Sequence, residues 1–151
     1  MPAAIQATDA GYTARYERQL RHPVEDVWAM LTENGKLKQW FPELQVADLR
    51  EGGLIMFDMQ DGTFEEMTIL ALEPKAVLEY TWGEDRVRFE LKSESSGGCR
   101  LHMIEYMSGI TDHTPKDLAG WHVCLDAIET LLDGRELDAR ADVWQTWYEQ
   151  Y

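Results

Sequence analysis

The chain has 151 residues, 44% of them hydrophobic, and a formal net charge of −14. That is the size of one domain with a buried core, and its acidity repels phosphate backbones and anionic lipid surfaces, so neither nucleic acid nor a membrane is an expected partner. Two cysteines, Cys99 and Cys124, are too few for a disulfide framework and match no zinc spacing, which suits a reducing cytoplasm and a site without metal or other cofactor.

The N-terminal "MPAAIQATDAG" has neither a basic region nor an apolar run, so residues 1–11 are expected to be disordered or extended and the protein unexported. No stretch approaches the roughly 20 apolar residues of a membrane span. "YTARYERQL", residues 12–20, places Tyr12, Ala14, Tyr16, Arg18 and Leu20 on one face, which predicts a strand with a charge, Arg18, in its apolar phase. In "RHPVEDVWAMLTENGKLKQWF", Pro23 stands near a helix start and Val27, Trp28 and Leu31 follow at helical spacing. Asn34 and Gly35 break that helix, and Leu37, Trp40 and Phe41 suggest a second short one.

From 44 to 107 the chain reads as a six-stranded antiparallel meander, punctuated by Gly52-Gly53, Asp61-Gly62, Glu73-Pro74, Gly83 and Gly97-Gly98. Alternation assigns inward faces to Ile55, Phe57 and Met59; to Leu78, Tyr80 and Trp82; to Val87, Phe89 and Leu91; and to Leu101, Met103, Glu105 and Met107. Glu105 is the charged exception.

Residues 120–126, "GWHVCLD", bring together a histidine, a cysteine and an aspartate, the residue types of a nucleophilic site. A helix over 115–133, with Thr114 as cap and Gly134 as stop, separates them. At about 100° per residue, Cys124 lies about 200° from His122 and belongs with Leu118, Trp121, Leu125, Ile128, Leu131 and Leu132 on a wide apolar face. His122, Asp126, Glu129 and Asp133 form a polar stripe. His122 and Asp126, four residues apart, read as a solvated ion pair; two metal ligands joined by His113 are the alternative. Beyond 134, Trp144, Trp147, Tyr148 and Tyr151 recur at helical spacing in residues 135–151, an aromatic helix that docks on the domain or on a partner, a second copy of the chain included.

One strand, two short helices, a meander and a long amphipathic helix make an α+β arrangement in which a curved antiparallel sheet wraps one helix, the helix-grip plan. In "HPVEDVWAMLTENGKLKQWF", "REGGLIMFDMQDG", "ILALEPKAVLEYTWG", "VRFELKSESSGGCRLHM" and "GWHVCLDAIETLLDG" the sequence resembles the START-like (SRPBCC) superfamily, and within it the family named for the C-terminal domain of the activator of heat-shock-protein-90 ATPase. The resemblance runs over residues 12–134 and implies a single START-like domain there. It also implies an apolar cavity between the long helix and the sheet, of the kind this superfamily uses for lipids, polyketides and hormones. Tyr16, Trp28, Phe57, Met59, Tyr80, Trp82, Phe89, Met103, Met107, Trp121, Leu125 and Ile128 should line it.

Arg18 and Glu105 lie in apolar phases of the first and last strands, neighbours in this plan, and are expected to pair because buried charge is costly alone. They make either a structural ion pair at the sheet's rim or a polar anchor for a ligand; Tyr80, the Trp82 indole N–H and His122 are further polar candidates. The leading expectation is a binding protein for a hydrophobic or aromatic small molecule. An enzyme of cyclase, aromatase or hydrolase type using Arg18, Glu105 and Tyr80, and a module acting on a chaperone partner as the family's name implies, are the alternatives.

Overall fold

The computed structural model describes residues 4–8, 11–59, 61–82, 85–95, 97–109 and 114–134. Among them are strands β1 (Ala4–Thr8) and β2 (Gly11–Leu20), helices α1 (Val24–Thr32) and α2 (Asn34–Trp40), strands β3 (Leu44–Asp48), β4 (Leu54–Asp58), β5 (Phe64–Glu73), β6 (Val77–Trp82), β7 (Asp85–Ser93) and β8 (Cys99–Met107), and helix α3 (Thr114–Leu132). The aromatic residues expected to form a final helix, and His113, lie outside the described residues.

The strands form one antiparallel sheet in the order β1-β2-β8-β7-β6-β5-β4-β3. The six strands from β3 to β8 are the meander that the turn residues predict, and β2 closes against β8 with Tyr12 opposite Met107 and Leu20 opposite Cys99. The N-terminal segment contributes β1, an edge strand paired with β2. Register shifts between Ile69 and Ala71 in β5 and between Val46 and Asp48 in β3 interrupt the ladder. Bulges bend a strand and add twist, which curves the sheet around α3 as the helix-grip plan requires.

Burial follows the alternation. Along β8, Cys99, Leu101, Met103, Glu105 and Met107 are all buried on the inner face. Rows of inner residues then run across the sheet: Leu78, Phe89, Met103 and Tyr16 in one, Tyr80, Val87, Glu105 and Ala14 in the next. The helix packs onto these rows through Leu118, Trp121, Leu125 and Ile128, and the Tyr16 hydroxyl fixes it by donating to the Leu118 carbonyl at 3.1 Å.

Side-chain hydrogen bonds place the two short helices. Asn34 opens α2 instead of merely ending α1: its Nδ2 donates to the Val46 carbonyl at 3.0 Å and its Oδ1 accepts from the Val46 N–H at 2.7 Å, so it pairs with β3 as a strand residue would. Trp40, fully buried, donates from Nε1 to the Met30 carbonyl at 2.7 Å and locks α2 against α1. The Trp40 bond satisfies a group that burial would otherwise leave costly, and the three bonds together hold α2 in place beside β3.

Candidate ligand-binding site

Six aromatic rings meet where the end of α2, strands β4, β6 and β7, and the first half of α3 converge. Trp121 of α3 packs on Trp82 with ring centroids 4.9 Å apart, on Phe41 at 5.9 Å and on Phe89 at 6.0 Å. Phe41, just past α2, also touches Phe57 and Trp82, and Phe57 touches Trp82. Tyr80 stacks on Phe89 at 6.2 Å and meets Trp82 at 6.4 Å. Most of these pairs are edge-to-face, the arrangement that opposes positive ring edges to negative ring faces.

The cluster is graded in depth. Tyr80, Phe89 and Trp121 are buried; Phe41, Phe57 and Trp82 are half-buried and form the rim. Alternation finds four of the strand residues, Phe57, Tyr80, Trp82 and Phe89, and helical spacing finds Trp121. Phe41 is the member that sequence reasoning leaves as a mere helix end, because a residue after a helix belongs to neither period; the adjacent Trp40-Phe41 pair is the only signal it carries.

Two polar groups belong to this aromatic floor. The Nε1 of Trp121 is buried and no acceptor among the described residues reaches it. Burial raises the pKa of the Tyr80 phenol far above its ordinary value, with Cys124 beside it adding to the effect, so the group stays protonated. Cys124 itself is a core residue of α3.

Other expected lining residues divide. Tyr16, Met103, Met107, Leu125 and Ile128 are buried in the core between α3 and the sheet, and Trp28 is half-buried against it. Met59 is 47% exposed and leaves the set. It follows the end of β4 in a turn where its N–H donates to the Thr63 carbonyl at 3.1 Å, so the alternation that placed it inside no longer applies.

Arg18 and Glu105 do not pair. In register Arg18 stands opposite Leu101 and Glu105 opposite Ala14, four residues along the strand, or about 13 Å. Arg18 instead reaches α3, with Nη2 3.5 Å from Asp126 Oδ1. Glu105 is 1% exposed between Val87 and Ala14, in the row that starts at Tyr80.

His122 is a core side chain too. It is fully buried, with Tyr16 edge-on to its ring at 5.4 Å. The solvated His122–Asp126 pair is thereby corrected: α3 lies so deep in the sheet's curve that its apolar face extends to include His122. Among the described residues no three His, Cys, Asp or Glu side chains gather to hold a metal ion.

A separate cleft of about 560 Å³ opens between Gln19, Leu20, Arg21, Glu94, Gly97 and Gly98. It lies at the β7–β8 turn, the opposite end of β7 from the aromatic rim. At that rim the Ser108 N–H donates to Asp85 Oδ1 at 3.0 Å, fixing the start of the 108–115 loop beside Trp82; residues 110–113 of the loop are outside the described set. No helix among the described residues is long and apolar enough to cross a membrane.

Residues 21–133 match the family described as activator of Hsp90 ATPase homolog 1-like protein. No curated protein matches the sequence. Among solved structures, a conserved protein of unknown function from Enterococcus faecalis superposes with a TM-score of 0.82 at 25% identity, over 98% of this chain and 89% of that one. CalU16 from Micromonospora echinospora gives 0.75 at 22% identity, over 99% and 92% of the two chains. A protein from Bordetella parapertussis gives 0.70 at 22% identity, over 100% and 96%. The last two are likenesses of fold.

Proposed function

The chain belongs to the activator of Hsp90 ATPase homolog 1-like family, of START-like type, and from that membership we propose that it is a cytoplasmic binding protein holding a hydrophobic or aromatic small molecule between α3 and the curved sheet. The observation that carries the reading is the depth-graded cluster, in which half-buried Phe41, Phe57 and Trp82 lie over buried Tyr80, Phe89 and Trp121. Binding sites for such ligands are apolar and aromatic, with few polar groups, and rings that are only partly covered are the ones a ligand can displace or cover.

Titration with Nile red, a neutral hydrophobic dye, tests this. Saturable one-to-one binding is expected, and Trp82→Ala should weaken it about tenfold or more while the protein stays folded; a folded Trp82→Ala variant with full affinity would sink this lining.

One observation favours an enzyme in the same place. Glu105 lies 1% exposed on the inner face, separated from Tyr80 by Val87 alone, and buried acids beside a pocket are the groups that proton-transfer chemistry uses. Glu105→Gln should then abolish turnover of a bound ligand while leaving Nile red affinity intact. Turnover that survives the substitution removes Glu105 from any mechanism.

A further inference from the structure

Among the described residues, the indole N–H of Trp121 is the fully shielded polar group of this cluster that has no acceptor. Trp121 is 2% exposed, and its Nε1 is shielded from solvent with no hydrogen-bond partner among the described residues. Orphaned buried N–H groups are rare in folded proteins, because removing a donor from water without replacing its acceptor costs free energy. Trp40 shows how this chain treats a purely structural indole: its Nε1 donates to the Met30 carbonyl at 2.7 Å. Trp121, in contrast, turns its ring onto Trp82 and Phe41, both of which belong to the half-buried rim.

The surrounding chemistry narrows what could satisfy it. The neighbouring Tyr80 phenol stays protonated and is a donor as well. Arg18, whose side chain reaches α3 from β2, is bound to Asp126, so among the described residues it is not a guanidinium held free for a carboxylate. Flat rings present edges and faces that match another planar ring better than a flexible aliphatic chain. Donors without a cation, set in aromatic walls, fit a neutral acceptor on a planar body.

We propose that Trp121 is the specificity-determining donor of this site, and that the preferred ligand is a neutral planar aromatic carrying a carbonyl or ether oxygen that accepts a hydrogen bond from Trp121 Nε1. The assignment rests on the binding reading above and deepens it. A site built to donate rejects an analogue that lacks the acceptor, because the donor then remains buried and unpaired.

The test is displacement of Nile red by three probes: naphthalene, 2-acetylnaphthalene and dodecan-1-ol. The expected result is that 2-acetylnaphthalene binds about tenfold more tightly than naphthalene, and that Trp121→Phe, which keeps a ring and loses the N–H, brings the two affinities to within about twofold of each other. Equal affinity of the two naphthalenes for the native protein, the outcome if a water satisfies the indole, overturns the proposal. So does a preference that persists in Trp121→Phe, which would move the donor to Tyr80, or tight binding of dodecan-1-ol alone, which would leave the cavity standing but make it a lipid site. Failure of Nile red itself to bind would overturn the underlying reading as well. Should Trp121→Phe not fold, the indole N–H resonances of the native protein decide: one should move downfield with 2-acetylnaphthalene and stay in place with naphthalene, and the absence of any such shift overturns the assignment.

Discussion

Arg18 on β2 is tied to Asp126 on α3, Nη2 to Oδ1 at 3.5 Å, and not to the buried acid on the neighbouring strand. Four residues beyond Arg18 and about two helical turns beyond Asp126, His22 Nε2 and Asp133 Oδ1 are 2.7 Å apart. The two contacts fasten the outer edge of α3 to the end of β2. The Arg18 side chain is 12% exposed and that of Asp126 38%, so water screens the pair, and a coupling of about 0.5 kcal/mol, at most about 1, is expected. A double-mutant cycle with Arg18→Ala and Asp126→Ala, read from urea midpoints, checks it. A coupling near zero would mean that Arg18 serves the fold by its apolar stem alone.

Tyr80 should make stability fall at alkaline pH. Its folded-state pKa is raised by burial, with Cys124 adding to the effect, whereas in the unfolded chain it returns to about 10. Below that value both states hold the proton and the contribution is fully present. Above it the unfolded state releases the proton first, binds fewer protons than the folded state, and is stabilised relative to it with each step in pH. The stability difference between the native chain and Tyr80→Phe should therefore shrink as pH rises past about 10. Denaturant melts of both proteins across that range measure it; a constant difference would place Tyr80 in contact with water.

The alternation that is legible in the sequence predicts faces well and rows poorly. Ile55, Leu78, Val87, Phe89, Leu101 and Met103 are all inside as their spacing implies, and Glu105 is indeed buried among them. Which residues meet across strands depends on register, and register is set by where hairpins begin and end, not by periodicity. That is why Arg18 and Glu105, both in the inward phase, share a face and not a contact. Met59 fails for a related reason, since a period continues on paper past the residue where the strand stops. Phe41 and β1 escape because one follows a helix and the other is a five-residue edge strand, "AIQAT", too short to show a pattern. The orphaned indole of Trp121 is invisible in sequence altogether: every tryptophan has the same N–H, and only the packing decides that Trp40 finds a carbonyl and Trp121 does not.

Neither cysteine should react in the folded protein. Cys99 is 0% and Cys124 5% exposed, and burial raises the Cys99 thiol above its ordinary pKa, partly offset by a hydrogen bond from the Lys92 backbone. The reactive species is the thiolate, so both exclusion and protonation suppress it. An aromatic disulfide reagent is expected to release no rapid product under native conditions and two equivalents in denaturant, the number of cysteines in the chain. A fast native equivalent would show that α3 or the β7–β8 hairpin opens readily.

Gly11 should resist replacement on two grounds at once, conformation and contact. Its φ of +140° is one that side chains rarely adopt, and a Cβ there would run into the Met107 carbonyl, with the Ser108 backbone carbons at 3.1 Å. The atoms met are all backbone of Met107 and Ser108, so no rotamer change relieves the clash, and Gly11→Ala must push the start of β2 away from the end of β8. Gly52 separates conformation from contact: its φ is +80°, yet a Cβ there meets nothing within 4 Å. Gly52→Ala should cost about 1 kcal/mol for backbone conformation alone, and Gly11→Ala about 2–3 kcal/mol once the contact is added. For a chain of this size the second value corresponds to a fall in Tm of about 4–10 °C, against about half that or less for Gly52→Ala. Thermal melts of the two variants side by side decide the matter; equal losses would mean that the start of β2 does not press on β8 and that the rim above Met107 is looser than the pairing of Tyr12 with Met107 implies.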